Sequence, residues 1–169
     1  MGRSQKIGLS LEKRWSKKTN SKRTLASGAI WFDKEDSKNS KWLFQNKATD
    51  KEDFPFKLSD LKKLKINAQK TLRKFAFVIE FNSSNFAERT AYVIFPYSYI
   101  RSKIKKDKEF QKKEVNSFIL NKQIKLSKNR LDENWLNEKL QVVIGKTTDD
   151  WFVIFNEIDF LKEFKGEFI

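Results

Sequence analysis

A few polar side chains in the first third of the chain have the types and order that metal-assisted phosphodiester hydrolysis needs. Asp36 lies in the charged segment DKEDSKNS (33–40), and Gln45 and Lys47 follow, two apart, in KWLFQNK (41–47). The strand period of two puts Gln45 and Lys47 on one face. Hydrolysis without histidine requires oxygen ligands that hold Mg2+, which lowers the pKa of bound water and neutralises charge building on the phosphate. A neighbouring lysine orients the attacking water or stabilises the transition state. Asp36, the carbonyl oxygen of Gln45 and Lys47 supply those parts, and Glu12 and Ser27 are the polar groups that upstream segments add at the same sheet edge. On spacing alone, a turn aspartate and a solvated strand-end lysine would read the same way.

Composition removes the competing chemistries. The 169 residues contain neither cysteine nor histidine, which excludes disulfide staples, thiolate zinc sites, cysteine nucleophiles and Ser-His-Asp triads. A hydrophobic content of 38%, with 14% aromatic, suffices for the core of one domain. No apolar run reaches the roughly 20 residues of a membrane span, and MGRSQKIGLSLEKRW lacks the apolar stretch of a signal peptide, so the expectation is a cytoplasmic protein that does not enter membranes. The net charge of +14 is unevenly spread. Residues 1–130 hold 32 basic and 13 acidic side chains, a net of +19, whereas 131–169 hold 4 and 9, a net of −5. A basic body of this kind is the electrostatic footprint of a phosphate-backbone binder.

The elements that must position these groups follow from hydrophobic periodicity. SLEKRWSKKTNSKR (10–23) reads as an amphipathic helix, with Ile7, Leu11 and Trp15 at four-residue spacing and Glu12 beside that stripe. ASGAIWF (26–32) and KWLFQNK (41–47) read as a hairpin around the turn DKEDSKNS. A long helix carries Leu61, Leu64, Ala68 and Leu72 at helical spacing, with Ser59 or Asp60 as its N-cap. FAFVIEF (75–81) and TAYVIF (90–95) read as buried strands, and a helix is expected from Tyr97 into the lysine-rich IRSKIKKDKEFQKK. NKQIKLS, KLQVVIG and DWFVIF are strand candidates, the last leading into a short helix. Together they predict an α/β fold, a mixed β-sheet flanked by helices, with a core at 1–105 and a C-terminal α/β extension at 106–169 that packs on or continues the sheet.

The stretch RTLASGAIWFDKEDSKNSKWLFQNKATDKEDFPFKLSDLKKLKINAQK (23–70) resembles the small phage and archaeal-type Holliday junction resolvases of the PD-(D/E)XK nuclease superfamily. The order is Glu12 on a helix, Arg23, the Ser27-Gly28 turn, Asp36, Gln45, Lys47, Thr49-Asp50 and a long helix bearing Gln69. The resemblance covers roughly the first 95 residues. It implies a restriction-endonuclease-like sandwich and Mg2+-dependent cutting of branched DNA by a homodimer, with Mn2+ as a substitute metal. It also implies that Asp36 is the metal-binding aspartate, Lys47 the catalytic lysine, Glu12 the helix carboxylate near the metal and Ser27 the hydroxyl near the scissile phosphate. Gln45 departs from the pattern by replacing the second carboxylate, which keeps one metal-binding oxygen but removes a charge. Some branches of the superfamily, such as Mrr-like restriction nucleases, carry Gln-x-Lys. Glu80, Asp33 and Glu35 are the candidates to supply the missing charge.

DNA contact is expected from Lys13, Arg14, Lys17, Lys18, Lys22 and Arg23, which form a basic wall beside the proposed site, and from a second cluster at Lys62, Lys63, Lys65, Lys70, Arg73 and Lys74. Neither cluster contains a base-reading motif, so backbone and shape recognition is expected. Trp15, Trp31 and Trp42 read as core residues. The alternative function is a catalytically inactive DNA-binding protein on a nuclease scaffold. A third reading has the acidic tail docking a partner or covering the basic face.

Overall fold

The computed structural model describes residues 2–24, 36–82, 89–101, 111–113, 117–121, 142–144 and 151–168. The first arm of the expected hairpin, at 26–32, lies outside them, as do Ser27, Trp31, Asp33 and Glu35. So do most of NKQIKLS and of the lysine-rich segment after Arg101.

Helix α1 spans Arg3–Lys18, starting well before Ser10, and buries Ile7, Leu11 and Trp15 as the four-residue spacing requires. Two short strands follow, β1 (Lys22–Arg23) and β2 (Ser37–Lys38), then β3 (Trp42–Thr49), whose first residues are apolar on both faces. β2 falls inside the segment expected to be a turn, because backbone pairing with Phe44 and Leu43 outweighs its polar composition. The turn itself narrows to Asn39–Lys41, where the Asn39 side-chain oxygen accepts from the Lys41 and Trp42 N–H groups at 2.8 and 2.7 Å.

The chain then forms β4 (Asp53–Lys57), which runs straight into α2 (Leu58–Lys70). Lys57 therefore occupies the N-cap position without a side-chain bond, in place of the expected Ser59 or Asp60, and Asp60 instead sits in the first turn where the helix dipole favours a carboxylate. β5 (Lys74–Asn82) and β6 (Arg89–Pro96) are the two buried strands, followed by a single 3-10 turn at Tyr97–Tyr99. The segment expected to be helical up to Lys113 ends in strand β7 (Gln111–Lys113). β8 (Ser117–Asn121), β9 (Val142–Ile144), β10 (Phe152–Asn156), helix α3 (Glu157–Glu163) and a 3-10 turn at Lys165–Glu167 complete the described elements.

These elements make an α/β fold with a mixed sheet. Its eight strands run in the order β1-β2-β3-β5-β6-β10-β9-β7, with β4 and β8 forming a separate antiparallel pair. Parallel pairing occurs at β3–β5 and β7–β9, and the other pairs are antiparallel. β5 is buried on both faces, which its uninterrupted apolar run FAFVI permits.

Alternation along the strands divides the core in two. Leu43, Phe75, Phe77, Ile79, Phe81, Tyr92, Ile94, Phe152 and Ile154 pack with Leu61, Leu64 and Ala68 of α2. Trp42, Phe44, Ala76, Val78, Val93, Phe95, Val153 and Phe155 pack with Leu11 and Trp15 of α1 and with Phe160, Phe164 and Phe168 of the C-terminal segment. Trp42 is the hub of this second layer. Its ring meets Phe44, Phe160 and Phe164 at 5.7, 5.4 and 5.0 Å between centroids, and its Nε1–H donates to Glu167 at 2.8 Å.

Both long helices end in the same backbone motif with different residues. After α1, Asn20 takes φ 49° and the Ser21 N–H donates to Ser16 at 2.9 Å. After α2, Leu72 takes φ 53°, with Leu72 N–H to Gln69 at 3.2 Å and Arg73 N–H to Ala68 at 3.0 Å. This left-handed cap suits glycine or asparagine; a leucine there costs roughly 1 kcal/mol. Leu72 therefore leaves the helical stripe in which its spacing placed it, and its side chain is 95% exposed.

Candidate active site

The β1-β2-β3 edge of the sheet builds the site. The Asp36 N–H donates to the Phe44 carbonyl at 3.1 Å, and the Thr24 N–H donates to the Asp36 carbonyl at 3.0 Å, so the ladder continues one residue beyond β2. Ser37 faces Phe44, and Asp36 consequently stands directly across from Gln45. The Asp36 Oδ2 accepts from the Gln45 Nε2–H at 2.5 Å and from the Asn46 backbone N–H at 2.6 Å. That second bond explains why a carboxylate only 7% exposed is tolerated here: it satisfies a buried strand N–H while being satisfied itself.

Parity fixes what else can join this pair. Gln45 and Lys47 share the face of Leu43, on the α2 side of the sheet, and Lys47 is exposed there. Lys38 is opposite Leu43 and Lys22 is opposite Lys38, so both lie on that face as well. Asp36, Gln45 and Lys47 are thus brought together, on a face that also carries Lys22 and Lys38.

Two of the other expected carboxylates, Glu12 and Glu80, lie elsewhere. α1 packs on the opposite face, and Glu12 Oε2 accepts from Arg23 Nε and Nη2 at 3.2 and 3.0 Å. Glu80, 1% exposed, lies on the α1 side because it shares parity with Val78, and it forms an ion pair with Arg14. Glu80 therefore does not supply the charge that Gln45 lacks: the parallel register sets Gln45 opposite Phe77, and Glu80 opposite Ala48. Among the described residues no three acidic side chains gather at one point.

The basic wall divides in the same way. Arg14 and Lys18 reach Glu157 at 3.5 and 3.0 Å, and with Arg23 on Glu12 they clamp α1 to the sheet and to α3. Lys13 and Lys17 are exposed on α1, away from the acid–amide pair. Of the six cations, Lys22 alone shares the face of Asp36. The residues that sequence reasoning missed are Lys38 and Lys41, whose signal was parity with Leu43 and a place at the hairpin turn, and Asn46, whose backbone anchors Asp36.

The donor set fits a sparsely held Mg2+. Octahedral ligands at 2.0–2.1 Å stand about 3 Å apart when adjacent, and Mg2+ keeps several waters beside one or two protein carboxylates. The Asp36 and Gln45 side-chain ends converge to within 2.5 Å, and reversing the Gln45 amide turns its carbonyl oxygen to Asp36. The pair would have to open by about 0.5 Å to admit the ion between its oxygens. Protein-family models, curated proteins and solved structures give no match to this chain. No described helix is long and apolar enough to cross a membrane.

Proposed function

We propose that the chain is a Mg2+-dependent DNA endonuclease acting on branched DNA, with the restriction-endonuclease-like variant of the α/β sandwich as its scaffold. The observation that carries this reading is the cross-strand contact of Asp36 with Gln45, with Lys47 on the same face of the same strand. Bound Mg2+ supplies charge neutralisation at the phosphate and a water of lowered pKa. Asp36 and Gln45 hold the ion, Asp36 being fixed in turn by the Asn46 N–H. The exposed Lys47 brings a positive charge to the scissile phosphate and orients the attacking water. Lys22 and Lys38, on that face, take the flanking phosphates. Cutting both strands symmetrically requires two copies.

The test is incubation of purified protein with labelled four-way junctions and linear duplexes in Mg2+, Mn2+ or EDTA. Metal-dependent nicking near the branch is expected, lost in Asp36→Asn and reduced at least about a hundredfold in Lys47→Ala. Intact junctions with either metal would remove the catalytic claim.

One observation favours a second reading, a DNA-binding protein without catalysis. Gln45 donates to the very carboxylate that would bind metal, and both Glu12 and Glu80 are neutralised by arginines. That reading predicts junction binding that is salt-sensitive and indifferent to EDTA.

A further inference from the structure

The turn between α2 and β5 exposes a leucine where the backbone disfavours one. Leu72 sits at φ 53° with its side chain 95% exposed, whereas the equivalent place after α1 holds Asn20, which accepts that conformation readily. The charges on its own turn and on the adjoining hairpin are basic, and the acid beyond them, Glu167, is paired with Lys74. Lys70 and Arg73 flank it in sequence, and the turn is tied to the β2–β3 hairpin: Arg73 Nε donates to Asn39 at 2.8 Å, and the Lys74 N–H donates to Lys41 at 2.8 Å. The hairpin adds Lys38 and the exposed Lys41. The two adjoining segments, 38–41 and 70–74, contain no acidic residue.

A single apolar side chain raised above a ring of cations matches one kind of partner. A protein interface or a bilayer needs a contiguous apolar patch, and the nearest other exposed aliphatic on α2, Ile66, is only 52% exposed and about 9 Å away along the helix. A base step in DNA needs one wedge, with phosphates on both sides for lysine and arginine. Resting on the DNA-binding reading above, we infer that Leu72 is an apolar wedge that enters the base stack at a branch point while Lys38, Lys41, Lys70 and Arg73 hold the flanking phosphates.

The register sets where the wedge acts. Lys74 is opposite Trp42, and Gln45 is three residues further along β3, about 10 Å; the two residues back to Leu72 add up to about 7 Å. Leu72 therefore reaches the stack roughly three to five base steps from the phosphate held at Asp36, taking 3.4 Å per step.

The test uses a four-way junction carrying 2-aminopurine at each of these positions in turn, with EDTA present. Wild type raises the fluorescence at one position, three to five steps from the site of nicking. Leu72→Asn keeps the left-handed cap, so its fold is preserved. It loses the fluorescence rise and binds the junction about tenfold or more weakly, and Leu72→Met restores both. If Leu72→Asn binds and unstacks the junction as wild type does, the wedge is overturned while DNA binding stands. If Leu72→Asn instead loses binding to phosphatidylserine vesicles and keeps its junction affinity, the wedge is likewise overturned in favour of a membrane contact. A wild type that binds no DNA at low salt overturns both this inference and the function on which it rests.

Discussion

Gln45→Glu tests the geometry of the candidate site directly, without any assumption about the substrate. The variant places a second anionic oxygen where the Gln45 amide nitrogen now lies, 2.5 Å from the Asp36 carboxylate. Relaxed to about 3 Å, two unit charges repel by roughly 5–6 kcal/mol at an effective dielectric of about 20. Keeping one proton on the pair avoids that repulsion, and holding a carboxyl of ordinary pKa about 4.3 protonated at pH 7 costs about 4 kcal/mol. The smaller cost sets the outcome, so the variant loses about 4 kcal/mol at pH 7 and about 1 kcal/mol at pH 5. The folded variant binds the extra proton and the unfolded one does not, so its stability falls as pH rises above about 4. Millimolar Mg2+ substitutes for that proton and restores the variant more than it stabilises wild type. Urea unfolding followed by tryptophan fluorescence, at both pH values with EDTA or Mg2+, reads all three effects. Equal stability of variant and wild type at pH 7 in EDTA would refute the side-chain contact. An equal response of the two to Mg2+ would refute the metal site while leaving the contact standing.

Three further outcomes follow from the packing. Leu72→Gly relieves the left-handed leucine and raises stability by about 1 kcal/mol, a gain of roughly 2–4 °C in Tm by calorimetry. Arg14→Ala leaves Glu80 buried without its partner and destabilises by about 3–5 kcal/mol in urea titration, whereas the paired change Arg14→Met with Glu80→Leu recovers most of that loss. Burial pushes the Tyr99 phenol up to about 12, with the nearby Glu167 acting in the same direction and the Phe75 N–H opposing. The folded state therefore keeps a proton that the unfolded state gives up near pH 10, and about 3 kcal/mol of stability is lost between pH 10 and 12. Alkaline unfolding should be visibly less steep in Tyr99→Phe; an unchanged pH dependence would count against this assignment. Burial raises the Tyr92 phenol further still, so Tyr99→Phe is expected to remove about half of the slope and to leave the half that Tyr92 carries.

What sequence reasoning could reach was set by whether one local period decided the matter. The stripe Ile7, Leu11, Trp15 and the apolar runs of β3, β5, β6 and β10 have no second interpretation, and each appears as expected. Leu72 fits the same spacing as Leu61, Leu64 and Ala68, yet backbone handedness at the helix end, which periodicity does not encode, turns it outward. β4 was hidden by Pro55, although Phe54 and Phe56 alternate around it; a two-stranded sheet with β8 tolerates proline as a central sheet does not. The candidate site shows the same division. That Gln45 and Lys47 share a face was legible from a period of two. That Asp36 faces Gln45 depended on a β2–β3 register that its polar residues do not specify. Glu80 looked available because it adjoins the strand, but its parity with Val78 turns it to α1, and the parallel register sets it opposite Ala48, away from Gln45.

The division of acids between the two faces carries a consequence for Gln45. On the α1 side, Glu12 and Glu80 are each matched by an arginine, and Glu157 by Arg14 and Lys18, so that face spends its carboxylates on holding α1 and α3 to the sheet. On the α2 side of the β1-β2-β3 edge, among the described residues, Asp36 is the one strand carboxylate on the face of Lys22, Lys38 and Lys47. A glutamate at 45 would bring a second negative charge to that surface, strengthening the hold on Mg2+ and weakening the attraction for a phosphate backbone before any metal arrives. The amide makes the opposite choice. It leaves the described part of that face net positive in the absence of metal, so on the proposed function DNA binding would not wait for Mg2+. On that reading a bound phosphate would bring the oxygen ligands and negative charge that the side chains lack. On the proposed function Gln45 would thus make metal affinity depend on substrate, and Mg2+ titrated with a bound junction should bind more tightly than Mg2+ titrated alone.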